Sequence, residues 1–228
     1  MKYEYFLIDL DHTLFDFDRA EREAFRDVLA RRGTQCSELQ FQRYQTINRG
    51  YWKRLSEGLV DKQRVLMGPI EDWAKQENLS LNAEETSHEY LLALSRFGYP
   101  IDGAKELAEA LHQRGRIAIV TNGAAVCQYG KVRNLGIEAY VDALIISEEA
   151  GCEKPFPGIF EKALSALGCR DKSRALMIGD DPVSDMKGAQ NAGLDALLFD
   201  PAGRHADVPC TFSVRALSDI VPLLEAEA

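Results

Sequence analysis

The chain has 228 residues, 46% of them apolar and 28% charged, with a formal net charge of −9. That much apolar material fills a sizeable core, in one large domain or two small ones, and the acidic balance excludes a nucleic-acid polymer as partner. No run approaches the length of a membrane span, and Met1-Lys2-Tyr3-Glu4 leads into an apolar segment that Glu4 and Asp9 interrupt, unlike a signal peptide; a cytoplasmic protein that engages no membrane is expected.

The first predicted element is a buried strand, Tyr3–Ile8, closed by Asp9-Leu10-Asp11-His12-Thr13. Side chains two apart on a strand share a face. If strand geometry continues past Ile8, Asp9 and Asp11 point together beyond the strand's carboxyl end, where open α/β sheets bind ligands. Two like charges so close tend to keep each other's protons unless a cation or a reaction uses the pair. The same alternation turns His12 away and leaves it no catalytic role. In the plainer alternative the two acids are solvated loop residues and Thr13 is a helix cap.

From Phe15 to about Tyr99 the pattern is purely helical, with helices predicted over 18–32, 37–56, 60–78 and 83–97. Ser37 with Gln40 and Asn82 with Glu85 supply start signals. The second of these helices carries Tyr44, Asn48, Arg49, Tyr51, Trp52 and Lys53, a mixture of aromatic surface and cations on which a nucleobase could stack. The competing reading is an amphipathic helix with Tyr44, Tyr51 and Leu55 buried and its charges in water. Gly98 and Pro100 mark a return to strand-helix alternation.

That alternation predicts helix 103–114, strand 116–120, helix 124–135, strand 143–146, helix 157–168, strand 174–178, helix 184–192 and strand 195–199. A strand near Thr211–Val214 and a helix over 216–226 follow. Three of these strands end in chemically loaded segments. Arg116–Val120 stops at Thr121-Asn122-Gly123, leading into a helix start of the kind that binds anions. Ala143–Ile146 runs through an acidic loop to Lys154-Pro155, a point charge suited to a phosphate or a carboxylate cluster. Arg174–Ile178 ends in Gly179-Asp180-Asp181-Pro182-Val183-Ser184-Asp185, and oxygen-rich clusters of this kind suit magnesium. Taken singly, Thr121 merely ends a strand, Lys154 is a surface charge and Asp185 an acid at a helix start.

Together, Asp9–Thr13, Thr121, Lys154-Pro155 and Gly179–Asp185 resemble the four motifs of the haloacid dehalogenase-like phosphohydrolases, Asp-x-Asp-x-Thr, a strand-terminal Thr or Ser, a Lys, and Gly-Asp-x-x-x-x-Asp. The resemblance spans essentially the whole chain. The wording Asp9-Leu10-Asp11-His12-Thr13-Leu14-Phe15-Asp16-Phe17-Asp18, with Ile146–Pro155, is most similar to the nucleotidases acting on pyrimidine nucleoside monophosphates. The resemblance implies an α/β, Rossmann-like doubly wound parallel sheet formed by residues 1–15 and 100–228, with an α-helical cap, residues 16–99, that excludes water and selects substrate.

It also implies roles. Asp9 is the nucleophile that forms an aspartyl phosphate; Asp11 protonates the leaving oxygen and then deprotonates water. Magnesium takes Asp9, the Asp11 carbonyl and Asp180, with Asp185 as a further ligand or a support. Thr121, Asn122 and Lys154 hold the phosphoryl oxygens. Asn48, Arg49, Trp52 and Lys53 are the candidates for choosing a small phosphomonoester, and Asp181 is left as an exposed or supporting acid. Other small phosphomonoesters, among them phosphoglycolate and sugar phosphates, a phosphosugar mutase and a non-catalytic binding protein are the alternatives. A dehalogenase needs neither Asp11 nor Asp180, and a phosphonatase lacks the Asp11 acid. The five cysteines, Cys36, Cys127, Cys152, Cys169 and Cys210, show no paired spacing, so neither a disulfide framework nor a zinc site is expected.

Overall fold

The structure, a computed structural model, describes residues 2–226; residue 1 and residues 227 and 228, which the predicted core region includes, lie outside the described residues. The elements in chain order are β1 (Tyr5–Ile8), α1 (Phe17–Arg31), α2 (Glu38–Ser56), α3 (Lys62–Gln76), α4 (Ala83–Leu94), α5 (Ala104–His112), β2 (Arg116–Thr121), α6 (Ala125–Asn134), β3 (Ala143–Ile146), α7 (Ser147–Ala150), α8 (Pro157–Leu167), β4 (Ala175–Gly179), α9 (Gly188–Ala192), β5 (Asp195–Phe199), β6 (Phe212–Val214) and α10 (Ile220–Ala226).

Three differences from the sequence expectation have local causes. Tyr3 precedes the strand, its hydroxyl donating to Asp195 at 2.7 Å. The helix predicted over 184–192 opens as a π-helical turn, Pro182–Lys187, begun by Asp181, whose carboxylate accepts from the Val183 and Ser184 N–H groups at 2.8 and 2.6 Å. The acidic loop after β3 folds into the short helix α7.

All six strands are parallel, in the order β3-β2-β1-β4-β5-β6, so the protein is an α/β fold with a doubly wound, Rossmann-like sheet. β1 and β4 are apolar along nearly their whole length because helices cover both faces of a parallel sheet. Leu7 of β1 pairs with Ala118 of β2 and Met177 of β4, and all three enter one core with Phe160 and Leu164 of α8. The winding direction reverses at β1, which opens a crevice beyond the carboxyl ends of β1 and β4.

The chain divides into two compact units, one formed by the residues up to Phe17 with those from Gly98 onward, the other by Asp18–Phe97. The second unit is built from helices around an aromatic core. Phe25 stacks on Tyr44 with centroids 3.9 Å apart, and Trp73 meets Phe25 edge-on at 4.9 Å. Such rings bury large areas and reward offset and edge geometries. Ser37 starts α2 with the capping box its spacing predicts, its hydroxyl accepting from the Gln40 N–H while Gln40 Oε1 accepts from the Ser37 N–H. Asn82 caps α4 through the Glu85 N–H.

In the first unit, the segments that leave and re-enter it pair antiparallel. Phe15 bridges Pro100, the Asp16 N–H donates to Tyr99 O at 2.8 Å, and the Ile101 N–H donates to Leu14 O at 3.0 Å. Among the described residues, no helix is long and apolar enough to cross a membrane.

Candidate active site

β1 delivers Asp9 to the crevice, the Asp9 N–H still donating to Ile178 O at 2.9 Å. The expectation that strand geometry continues through Asp11 does not hold. From Leu10 the backbone turns back, with the Leu14 and Phe15 N–H groups both donating to Leu10 O at 2.9 Å. His12 takes the left-handed conformation at φ 66°, and its ring rests against Phe17 with centroids 5.3 Å apart. A turn, not strand alternation, therefore directs Asp11.

Lys154 is the hub on one side. It is only 2% exposed, and its Nζ lies 2.6 Å from Asp9 Oδ1 and 2.7 Å from Asp185 Oδ1. Asp185 is fully buried, and its second oxygen accepts from the Asp181 N–H at 3.0 Å. This packing requires glycine at 179, since a Cβ there would lie 2.2 Å from Asp185 Oδ2. Asp180 accepts from the buried Thr13 hydroxyl at 3.1 Å, so Thr13 supports an acid instead of capping a helix.

The Asn122 side chain pairs with the Lys154 backbone in both directions, its Nδ2 donating to Lys154 O and its Oδ1 accepting from the Lys154 N–H, both at 2.9 Å. It thereby fixes the loop that carries the lysine, which includes a cis Lys154–Pro155 bond.

On the other side α6 supplies two residues that sequence reasoning missed. Lys131 Nζ lies 2.7 Å from Asp11 Oδ1, and Gln128 Nε2 donates to Asp11 Oδ2 at 3.0 Å and to Thr121 Oγ1 at 2.6 Å. Both are buried, Gln128 completely. The available signal was their spacing of three on a helix that opens beside Thr121, which puts them on one face.

The electrostatics follow from four carboxylates, Asp9, Asp11, Asp180 and Asp185, sharing two ammonium groups. Burial pushes the Asp9 carboxyl up to about 6 against the pull of Lys154. Burial pushes Asp180 and Asp185 each up to about 7, with Asp185 adding repulsion at Asp180, and Asp9 adding it at Asp185 against the pull of Lys154. Burial would lower the Lys154 ammonium, but Asp185 and Asp9 more than offset it and hold it protonated. Asp11 goes the other way: burial would raise it, yet Lys131 and Gln128 keep it below the usual carboxylate range. The expectation that Asp9 keeps a proton on Asp11 is thus reversed by a cation on α6.

Oxygens of Asp9, Asp180 and Asp185 lie within 4.8 Å of one another. An all-oxygen set carrying more negative charge than Lys154 neutralises fits a hard divalent cation.

A family model for haloacid dehalogenase-like hydrolases matches residues 3–193. The chain is a haloacid dehalogenase-like hydrolase. Pyrimidine 5'-nucleotidase YjjG of Escherichia coli (strain K12) is 32% identical to this hydrolase over 228 residues, covering 98% of this chain and 99% of its own. Pyrimidine 5'-nucleotidase PynA of Streptococcus pneumoniae (strain ATCC BAA-255 / R6) is 28% identical, covering 99% of this chain and 96% of its own. The crystal structure of the HAD-hydrolase YfnB of Bacillus subtilis bound to magnesium superposes with a TM-score of 0.92 at 28% identity, over 99% of this chain and all of that one.

The hydrolase's helical unit separates the four residues suggested for substrate choice. Asn48 is buried and donates to Glu21 at 2.9 Å, beside a second amide donor, Gln45, at 3.0 Å. Its side chain belongs to the interior of the unit. Arg49 and Lys53 are exposed, and Trp52 is half-buried with Lys62 Nζ 4.4 Å from its ring centre. Tyr44, Tyr51 and Leu55 are buried, as the amphipathic reading has it.

Proposed function

We propose that this protein is a magnesium-dependent phosphomonoester hydrolase acting on pyrimidine nucleoside 5'-monophosphates through an aspartyl phosphate. The observation that carries the chemistry is the pairing of Asp9 with Lys154 next to an Asp11 that Lys131 holds separately. Two acids in different environments take two roles. The substrate class rests on the full-length likeness to YjjG and PynA.

Asp9, largely ionised at neutral pH, attacks phosphorus and takes the phosphoryl group, splitting one slow displacement into two steps. Lys154 and the Thr121 hydroxyl receive the phosphoryl oxygens, with Asn122 joining through its main chain. Asp11 in its protonated minority gives its proton to the leaving oxygen. In the ionised form that Lys131 favours, it removes a proton from the water that cleaves the aspartyl phosphate. Asp9, Asp180 and the Asp11 carbonyl are the ligands assigned to magnesium, with Asp185 holding Lys154 beside them. Held there, magnesium would neutralise charge on the transferring phosphoryl group. The helical unit, Asp18–Phe97, is the cap that excludes water and selects the substrate, with Arg49, Trp52 and Lys53 as its surface candidates.

Phosphate release from a panel of pyrimidine and purine nucleotides, sugar phosphates and phosphoglycolate, with magnesium and with EDTA, tests the proposal. Preference for UMP, dUMP or dTMP that EDTA abolishes is the expected result. Preference for another class overturns the substrate; metal-independent turnover overturns the mechanism.

A further inference from the structure

We propose that Gln128 is a positioning residue that fixes the direction of the Thr121 hydroxyl, forcing its proton outward to the phosphoryl group. This rests on the phosphomonoester reading above and concerns a residue outside the four motifs.

The argument is a count of donors and acceptors. Asp11 carries Lys131 on Oδ1 at 2.7 Å and the Gln128 carboxamide on Oδ2 at 3.0 Å. An ionised carboxylate only accepts, so the NH2 end of Gln128 must face it. That same nitrogen lies 2.6 Å from Thr121 Oγ1, so its second hydrogen goes to the hydroxyl oxygen. The Gly123 N–H also donates to Thr121 Oγ1, at 3.0 Å. A threonine hydroxyl has two lone pairs and one hydrogen. Both lone pairs are filled, so Thr121 meets any further group only as a donor. The phosphoryl oxygens of a monoester dianion are acceptors, and this polarity matches them.

Two further facts tie the device to the sequence. Thr121 and Gln128 are 1% and 0% exposed, so water does not compete for these bonds. A Cβ on residue 123 would stand 1.9 Å from Gln128 Nε2, so the carboxamide keeps its place only beside glycine. Gly123 therefore contributes both an N–H and the space for the residue that shares its acceptor.

The test uses Gln128→Met, which keeps the length and removes both donors, with Thr121→Val and the double variant, measuring UMP turnover, inhibition by inorganic phosphate and Tm. The expected result is that Gln128→Met weakens phosphate inhibition and lowers kcat/KM by about tenfold or more. In the double variant the loss stays within about threefold of Thr121→Val alone, because both substitutions remove the same directed proton. Gly123→Ala, which displaces the carboxamide and spares both partners, gives the same phenotype and replaces Gln128→Met if that variant does not fold. Unchanged phosphate inhibition in these variants, or fully additive losses, overturns the inference while wild-type turnover stands. A wild type that releases no phosphate from any monoester overturns the phosphomonoester reading and this inference with it.

Discussion

Lys131 and Asp11 form an ion pair at 2.7 Å in which the lysine side chain is 1% exposed and the aspartate 22%. The ammonium also lies 4.9 Å from the ring centre of Phe15 and 5.0 Å from that of Phe17. It is thus held by one charge and two aromatic faces. The residue proposed as acid and base is therefore also the principal partner of a buried cation.

Asp11→Asn should consequently cost stability as well as activity. Leaving a buried charge without its partner destabilises by about 3 kcal/mol or more. Asp9→Asn should cost less, because Lys154 retains Asp185 at 2.7 Å. Urea denaturation of the two variants measures the difference; equal midpoints would contradict the asymmetry. Asp9→Asn should nonetheless lower turnover by ~10³-fold or more.

Lys131→Met should move the pH profile. With the cation gone, the Asp11 carboxyl rises from its depressed position. The protonated form that donates to the leaving oxygen then persists to higher pH, and the kcat limb set by this group shifts upward. An alkyl ester such as UMP should show the shift more strongly than an aryl phosphate, whose leaving group needs less help.

Stability of the metal-free enzyme should fall as pH rises from about 4 to about 7, through the range between ordinary carboxylate values and the raised ones of Asp9, Asp180 and Asp185. The sign follows from proton counts: across that range the folded state holds more protons on these acids than the unfolded state, so each rise in pH favours unfolding. Magnesium should raise Tm more at pH 7.5 than at pH 5.5, because protons compete for its ligands. Thermal melts with EDTA and with magnesium at both values check this.

Within the helical unit, Asn48→Ala should cost about 1–3 kcal/mol and leave KM unchanged, since its amide serves the buried Glu21. Arg49→Ala should do the reverse, raising KM for pyrimidine nucleotides with little loss of stability, whereas Trp52→Ala should raise KM and also cost stability, because its half-buried ring packs on Tyr51, Leu55 and Val65. Paired melting and kinetic measurements separate these variants.

The parallel sheet was legible because buried parallel strands are nearly continuous apolar runs, as in Arg116–Thr121 and Ala175–Gly179. Asp9 and Asp180 were legible because they sit just beyond strand ends, and Lys154 because it follows β3 in a recognisable order with them. Gln128 and Lys131 were not, because a glutamine and a lysine on an amphipathic helix read as solvent-facing, and only tertiary placement turns that face onto Asp11. The turn at His12 was hidden for a related reason: alternation extrapolates a strand, whereas hydrogen bonds to Leu10 O end it.

The antiparallel pairing of Phe15 with Pro100 also bears on how such a chain could arise and be remodelled. Because departure and return run side by side, the sheet experiences everything between them as it would a tight turn, and a long excursion there adds little closure entropy. Evolution or an engineer can lengthen, shorten or replace that excursion while the sheet keeps its register.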